Sequence, residues 1–307
     1  MTKGAKKSKK AHAAGKHATA PPLISCICPT YGRSPDHQHL LEEAIESFLR
    51  QTYLHKELII LNDCREQELV CNAPGVRVIN ISERFPTLGD KYNVAILFAR
   101  GALIAPWEDD DISLPWRLSL SVERLGRAAY YNPLSYWFLD QEGLHADHTM
   151  GVGHNLSLFT RAAFDAVGGY PASSGTQDLH MDAALRSTVP WIGPAHARFG
   201  KWALRHQLAK GKKLTQHEWF YIYRWGVSPT HLSGDRVPEA FYRTVGERPV
   251  PSGRFLLQPR WLNDYVAQTR HYRPESQGEA LKTSGDTSPF AKANTVVNRE
   301  QVRPFGS

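Results

Sequence analysis

Four short apolar runs, interleaved with two stretches of helical periodicity, constrain what this chain can fold into. The runs are Leu23–Cys28, Glu57–Leu61, Val76–Ile81 and Ala102–Trp107. Apolar runs of this length, closed by turn-forming residues, read as buried strands. Between the first two, Leu40, Leu41, Ala44, Ile45, Phe48 and Leu49 recur at the spacing of one helix face, and residues 88–100 repeat the pattern. Strand, helix, strand, strand, helix, strand predicts an open α/β sheet with mostly parallel strands. Such sheets bind ligands beyond the carboxyl ends of their strands. Polar residues fall at those ends: Thr30 and Arg33 after the first run, Asp63 after the second, and Glu108-Asp109-Asp110-Asp111 after the fourth.

The rest of the chain is less periodic. Tyr130–Leu139 is aromatic-rich and expected to be extended. Thr160–Val167, followed by Gly168-Gly169, and Asp178–Arg186 read as helical, and residues 197–226 as a helix or helix pair. Lys3, Lys6, Lys7, Lys9, Lys10 and Lys16 carry six of the net seven positive charges, in a segment without acids. That segment lacks the apolar stretch of a secretory signal, and its composition cannot bury enough surface to fold. No apolar run approaches the ~20 residues of a membrane helix. Cys26, Cys28, Cys64 and Cys71 have no zinc-site spacing. They read as reduced thiols, in keeping with a cytoplasmic location.

The acidic run carries the most chemistry. Four adjacent acids repel one another, and a fold tolerates them at a strand end when a divalent cation offsets the charge. Hard carboxylate oxygens suit Mg2+ or Mn2+, which bind through one or two carboxylates together with substrate phosphates. The competing reading is a solvated acidic loop; placement between Trp107 and Ile112 argues against it.

Here a family resemblance enters. Ala105–Leu118 resembles the acidic segment of family 2 glycosyltransferases, whose fold is GT-A, a Rossmann-like open mixed α/β sheet flanked by helices. Ile27–Arg33, Leu61-Asn62-Asp63, Leu88–Asn93, Asn155–Tyr170 and Gly175–Asp178 are similar to further family segments, in the same order. The resemblance implies a nucleotide pocket lined by Pro29, Thr30, Tyr31 and Arg33, with Asp63 on the base and Tyr31 stacked on it. It implies Lys91 at the diphosphate, Asn93 and Glu108 on the nucleotide-sugar, Asp109 on the nucleotide ribose, and Asp110 as metal ligand. The family more often has Arg where this chain has Tyr92. His231 would be a further metal ligand, and Asp178 (alternatively Asp182) the catalytic base of an inverting transfer.

The expected organisation is a Lys-rich disordered tail over 1–21 and a GT-A domain over 22–265, followed by a disordered tail over 266–307. Within the domain a nucleotide-binding half spans about 22–118 and an acceptor half about 119–265. The expected partners are a nucleotide-diphosphate sugar, of the UDP class, and an acceptor that is a glycan, lipid-linked sugar, protein or nucleic acid. A nucleotidyltransferase would be expected to carry a phosphate loop richer in Gly and basic residues than Gly32-Arg33. A non-catalytic binding module on the same fold remains open, as does an enzyme acting on nucleic acid. For the Lys-rich arm, a weak nucleic-acid contact would appear as DNA affinity that falls steeply with salt and disappears when residues 1–20 are deleted. Salt-independent or absent binding would leave a solubilising arm.

Overall fold

The structure, a computed structural model, describes residues 20–133, 135–147, 153–194, 204–210, 214–226, 242–243 and 249–272. The expected alternation is present: β1 (Ile24–Thr30), α1 (Pro35–Leu49), β2 (Lys56–Asn62), β3 (Gln67–Val70), β4 (Val76–Asn80), α2 (Leu88–Leu97) and β5 (Leu103–Pro106). There follow β6 (Ile112–Ser113), α3 (Arg117–Leu125), β7 (Tyr130–Tyr131), the hairpin β8 (Tyr136–Asp140) and β9 (Gly143–Asp147), β10 (Leu158–Thr160), α4 (Arg161–Val167) and α5 (Gln177–Thr188). The described chain ends with β11 (Trp191–Gly193), β12 (Gln207–Lys210), β13 (Tyr221–Arg224), β14 (Gly253–Leu256) and α6 (Tyr265–His271).

The main sheet has eight strands in the order β12-β11-β7-β10-β5-β1-β2-β4. β1 lies at its centre, parallel to β2 and β5, while β10 runs antiparallel to β5 and β7, so the sheet is mixed. Side chains alternate across it as strand pleating requires. Cys26 and Cys28 of β1, with Leu58 and Ile60 of β2, enter the core that α1 and α3 cover. Ile27, Ile59 and Leu61 enter the opposite core, packed by α2, α4 and α5. All four cysteines are free, and burial pushes the Cys26 thiol up to about 12. A second sheet, β6-β13-β8-β9, builds a third core around Trp137, Trp219 and Phe220.

One expectation is corrected: the described part of 197–226 holds two 3-10 turns, β12 and β13, not a helix pair. Tyr221–Arg224 carries aromatic and β-branched residues, which pair with β6 and β8 and bury Tyr221 and Ile222. The domain boundary expected at 265 falls on the first residue of α6, whose Tyr265 and Thr269 are buried. β3 was not anticipated; four residues carry too little periodicity, and it pairs with the distant β14.

The contact that ties these parts together is a buried ion pair. Glu43 of α1 and Arg224 of β13 meet at 2.5 Å, each at most 3% exposed. Glu43 Oε1 also accepts from the Leu262 amide at 2.9 Å and the Tyr265 hydroxyl at 2.7 Å. Arg224 donates from Nη2 to the Leu40 carbonyl and from Nε to the Asp110 carbonyl. Its own amide donates to Asp111 Oδ1 at 2.7 Å. One carboxylate thus fixes α1, the second sheet, the acidic run and the start of α6. Removing one partner of a buried pair leaves a charge without compensation, at a cost of about 3–5 kcal/mol. Glu43→Ala should therefore lower the thermal midpoint by roughly 10 °C in calorimetry. An unchanged midpoint would show that the pair contributes nothing to stability.

Candidate functional site

The carboxyl ends of β1, β2 and β5 bring the expected polar residues to one edge. Asp109, in the loop after β5, accepts from the Thr30 hydroxyl at 2.5 Å and forms an ion pair with Arg33. The loop after β1 is braced from beneath. The Gln67 side chain accepts from the Arg33 amide and donates to the Arg33 and Pro251 carbonyls. Gly32 has a φ of +24°, and a Cβ there would stand 2.8 Å from Val250 Cγ1, so a side chain is excluded. Pro29 is buried within β1 opposite Leu61. Tyr31 is half-buried, with the Arg84 guanidinium over its ring at 3.8 Å.

Three residues expected to touch the donor each bond to groups of the protein itself. Lys91 is 2% exposed, and its Nζ donates to Asp63 Oδ1 and the Thr30 carbonyl, each at 2.5 Å. Burial lowers its pKa, against the pull of Asp63. Its charge compensates Asp63 beneath the loop. Asp63 in turn accepts the Phe85 amide on its other oxygen and is 1% exposed. Asn93 bonds both the amide and the carbonyl of Tyr170, each at 2.8 Å, and so pins the Gly-Gly-Tyr turn after α4.

The acidic run divides its work. Asp111 is structural, bonded to the Tyr221 hydroxyl and the Arg224 amide. Asp110 is 7% exposed, and its backbone is anchored by Arg224. The Glu108 carboxyl is pushed well above the usual carboxylate range, by burial first and then by Asp111, Asp110 and Asp109. The Tyr92 hydroxyl, 2.7 Å away, opposes that rise. Arg117 locks the base of the loop through the Pro106 carbonyl at 2.7 Å, the Ser113 hydroxyl at 2.8 Å and the Asn155 carbonyl at 2.5 Å.

On the acceptor side, Asp178 lies in the first turn of α5, half-buried, and burial raises its carboxyl to about 6, with Asp182 adding to the shift. The alternative base, Asp182, has a structural role instead. It is fully buried, paired with Arg186 at 2.7 Å and bonded to the Tyr130 hydroxyl and the Asn132 amide. Tyr170 joins the two sides. Its ring stacks on Tyr92 at 4.7 Å, its hydroxyl is 2.8 Å from His154 Nε2, and its phenol is raised by burial first and then by Glu108 and Asp178. His231 lies outside the described residues.

The donor set fits a hard divalent cation. Neighbouring acids at Glu108, Asp109 and Asp110, of which Asp110 is buried, are what such an ion relieves. Among the described residues, only Asp140, Glu142 and His145 bring three ligand atoms within 4.8 Å of one another. There Asp140 is occupied by its own turn. The acidic run alone therefore offers one or two ligands, as Mg2+ and Mn2+ sites completed by a phosphate do. Sequence reasoning missed Arg224, Arg84 and the Tyr92–Glu108 bond, all made by side chains from separate segments.

An open mixed sheet flanked by helices, with its acids past a central strand, defines the GT-A class. Residues 25–148 match the sequence profile described as glycosyl transferase family 2. It is 35% identical over 106 residues to the putative colanic acid biosynthesis glycosyl transferase WcaA of Escherichia coli, a match covering 32% of this chain and 36% of that protein. It is 31% identical over 131 residues to the uncharacterized glycosyltransferase MJ1057 of Methanocaldococcus jannaschii, covering 40% of this chain and 44% of the relative. The chain thus spans less than half the length of these curated relatives. Among solved structures, TarS 1-349 of S. aureus superposes with a TM-score of 0.47 at 12% identity, over 66% of this chain and 60% of that one. The mannosyltransferase PcManGT of Pyrobaculum calidifontis, solved with GDP-Man and Mn2+, gives 0.41 at 18% identity, over 57% and 55%. Among the described residues no helix is long and apolar enough to cross a membrane.

Tyr92→Phe would remove a bond that lowers Glu108, and the carboxyl would then ionise at still higher pH. Calorimetric titration with Mn2+ should show weaker binding near neutral pH, recovered as the pH is raised. Equal affinity at both pH values would remove Glu108 from the metal site.

Proposed function

We propose that this chain is a metal-dependent, inverting glycosyltransferase that moves a sugar from a nucleoside-diphosphate donor, of the UDP class, to an acceptor hydroxyl. The observation that carries the reading is the position of Glu108–Asp111. The run follows the carboxyl end of β5 and is bonded through Asp109 to Thr30 and Arg33 of the neighbouring β1 loop, within the stretch that matches the family 2 profile. The cysteines are unpaired, in keeping with a reducing, cytoplasmic setting.

Asp110, with Glu108 beside it, would hold Mg2+ or Mn2+, which offsets the negative charge of the departing nucleoside diphosphate. Asp109, fixed by Thr30 and Arg33, presents its loop to the donor in one geometry. Asp178 takes the proton of the acceptor hydroxyl as its oxygen bonds to the anomeric carbon. The bond from that carbon to the diphosphate breaks on the opposite face, so the configuration inverts. Raised to about 6, Asp178 is ionised at neutral pH yet basic enough to accept a proton in the transition state.

The first test is metal-dependent nucleotide release from a panel of UDP-, GDP- and dTDP-sugars, beside Asp110→Ala. Release from one donor, lost in the variant, supports the reading. No release and no metal-dependent binding of any nucleotide sugar would favour a non-catalytic module. Because the base must be ionised, transfer should decline as pH falls through about 6. Asp178→Asn should lower kcat by about 10²–10⁴-fold and leave donor affinity near wild type. Retained kcat in that variant would place the base elsewhere.

A further inference from the structure

The ion pair of Lys91 with Asp63 leaves a question of charge: the diphosphate of the proposed donor needs a cation, and those along the carboxyl edge are largely paired. Arg33 is paired with Asp109, Lys91 with Asp63, and Arg224 with Glu43. Arg84, in the loop between β4 and α2, has no carboxylate partner among the described residues. Its guanidinium carbon lies 3.8 Å from the Tyr31 ring centroid and 4.2 Å from that of Tyr242, so both faces are covered. In the guanidinium plane, Nη2 donates to the Tyr242 carbonyl at 2.6 Å, while Nη1 is buried and has no hydrogen-bond partner.

The position is adjacent to the donor loop. Tyr31 follows Thr30, whose hydroxyl is bonded to Asp109. Phe85, the residue after Arg84, is anchored through its amide to Asp63. Arg84 is close enough to Lys91, beneath Thr30, for its charge to lower that lysine's pKa. A guanidinium clamped on both faces has already lost its rotamer freedom, so its in-plane donors are aimed before a ligand arrives. A buried cationic N–H without an acceptor is unfavourable alone and favourable once an anionic oxygen reaches it.

We propose that Arg84 is a donor-binding residue, held between Tyr31 and Tyr242, that supplies the positive charge for the diphosphate of a nucleoside-diphosphate sugar. The assignment rests on the transferase reading above and gives Arg84 the part that Lys91 was expected to play. Tyr31 then serves as one wall of the clamp.

Calorimetry on the full chain tests it, with Mg2+ present. The probes are whichever of UDP, GDP and dTDP the wild type binds best, and the corresponding monophosphate. Arg84→Ala should weaken the diphosphate at least about tenfold and the monophosphate by much less, because the charge is directed at the diphosphate. Arg84→Lys keeps the charge without the planar fork and should recover part of the loss. It also serves as the second variant if the alanine protein does not fold. Equal weakening of both nucleotides would mean that Arg84 only holds the Tyr242 segment, and unchanged affinity would also overturn the assignment. If the wild type binds no nucleoside diphosphate, the transferase reading fails and this assignment fails with it. Binding that is insensitive to Arg84 removes only the assignment.

Discussion

The acidic run after β5 can be crowded because it is held by its backbone. Arg224 bonds the Asp110 carbonyl and the Asp111 carboxylate, and its own charge is met by Glu43 in α1. The loop therefore keeps its shape while its carboxylates repel one another. A loop held only by carboxylate contacts would relax whenever the local charge changed. Burying an ion pair is a poor way to gain stability, since desolvation consumes most of the attraction. Its value here is geometric: one guanidinium orients the acidic run, and one carboxylate positions the β13 end and the start of α6 together.

A second constraint joins the two halves. Asn93 in α2 holds both polar groups of the Tyr170 backbone, and a Cβ on Gly169 would stand 2.8 Å from Asn93 Oδ1. That close approach brings the Tyr170 ring onto Tyr92, whose hydroxyl bonds Glu108. His154, lowered to about 4 by burial, stays neutral near pH 7 and meets the Tyr170 hydroxyl without adding charge. The proposed donor side and the proposed base are thus linked by packed rings and neutral hydrogen bonds. A charged linker in the same place would raise or lower Glu108 and Asp178 together.

Much of the donor edge was legible in the sequence, because parallel strands deliver their following residues to one end. Thr30, Arg33 and Asp109 meet there as the strand pattern implies. Helical periodicity likewise located α1, α2, α4 and α5. What a motif could not disclose was orientation. Lys91 and Asn93 occupy the expected stretch of α2, yet one points beneath β1 and the other grips a turn 77 residues away. Asp182 and Asp178 are a single helical turn apart, and only burial separates a structural carboxylate from a candidate base. Arg84 sits in an irregular loop, where no periodicity marks it, and its clamp is completed by Tyr242, 158 residues further on.

The sequence by itself determined the alternation of strands and helices up to β5, apart from β3, the open α/β class, and the placing of acids past a central strand. These follow from local hydrophobic periodicity and from the common direction of parallel strands. Only the tertiary structure decided which charges are spent and which remain for a ligand. A side chain's partner is set by three-dimensional proximity, as when Glu43 meets Arg224 across 181 residues, and sequence spacing carries no record of that distance.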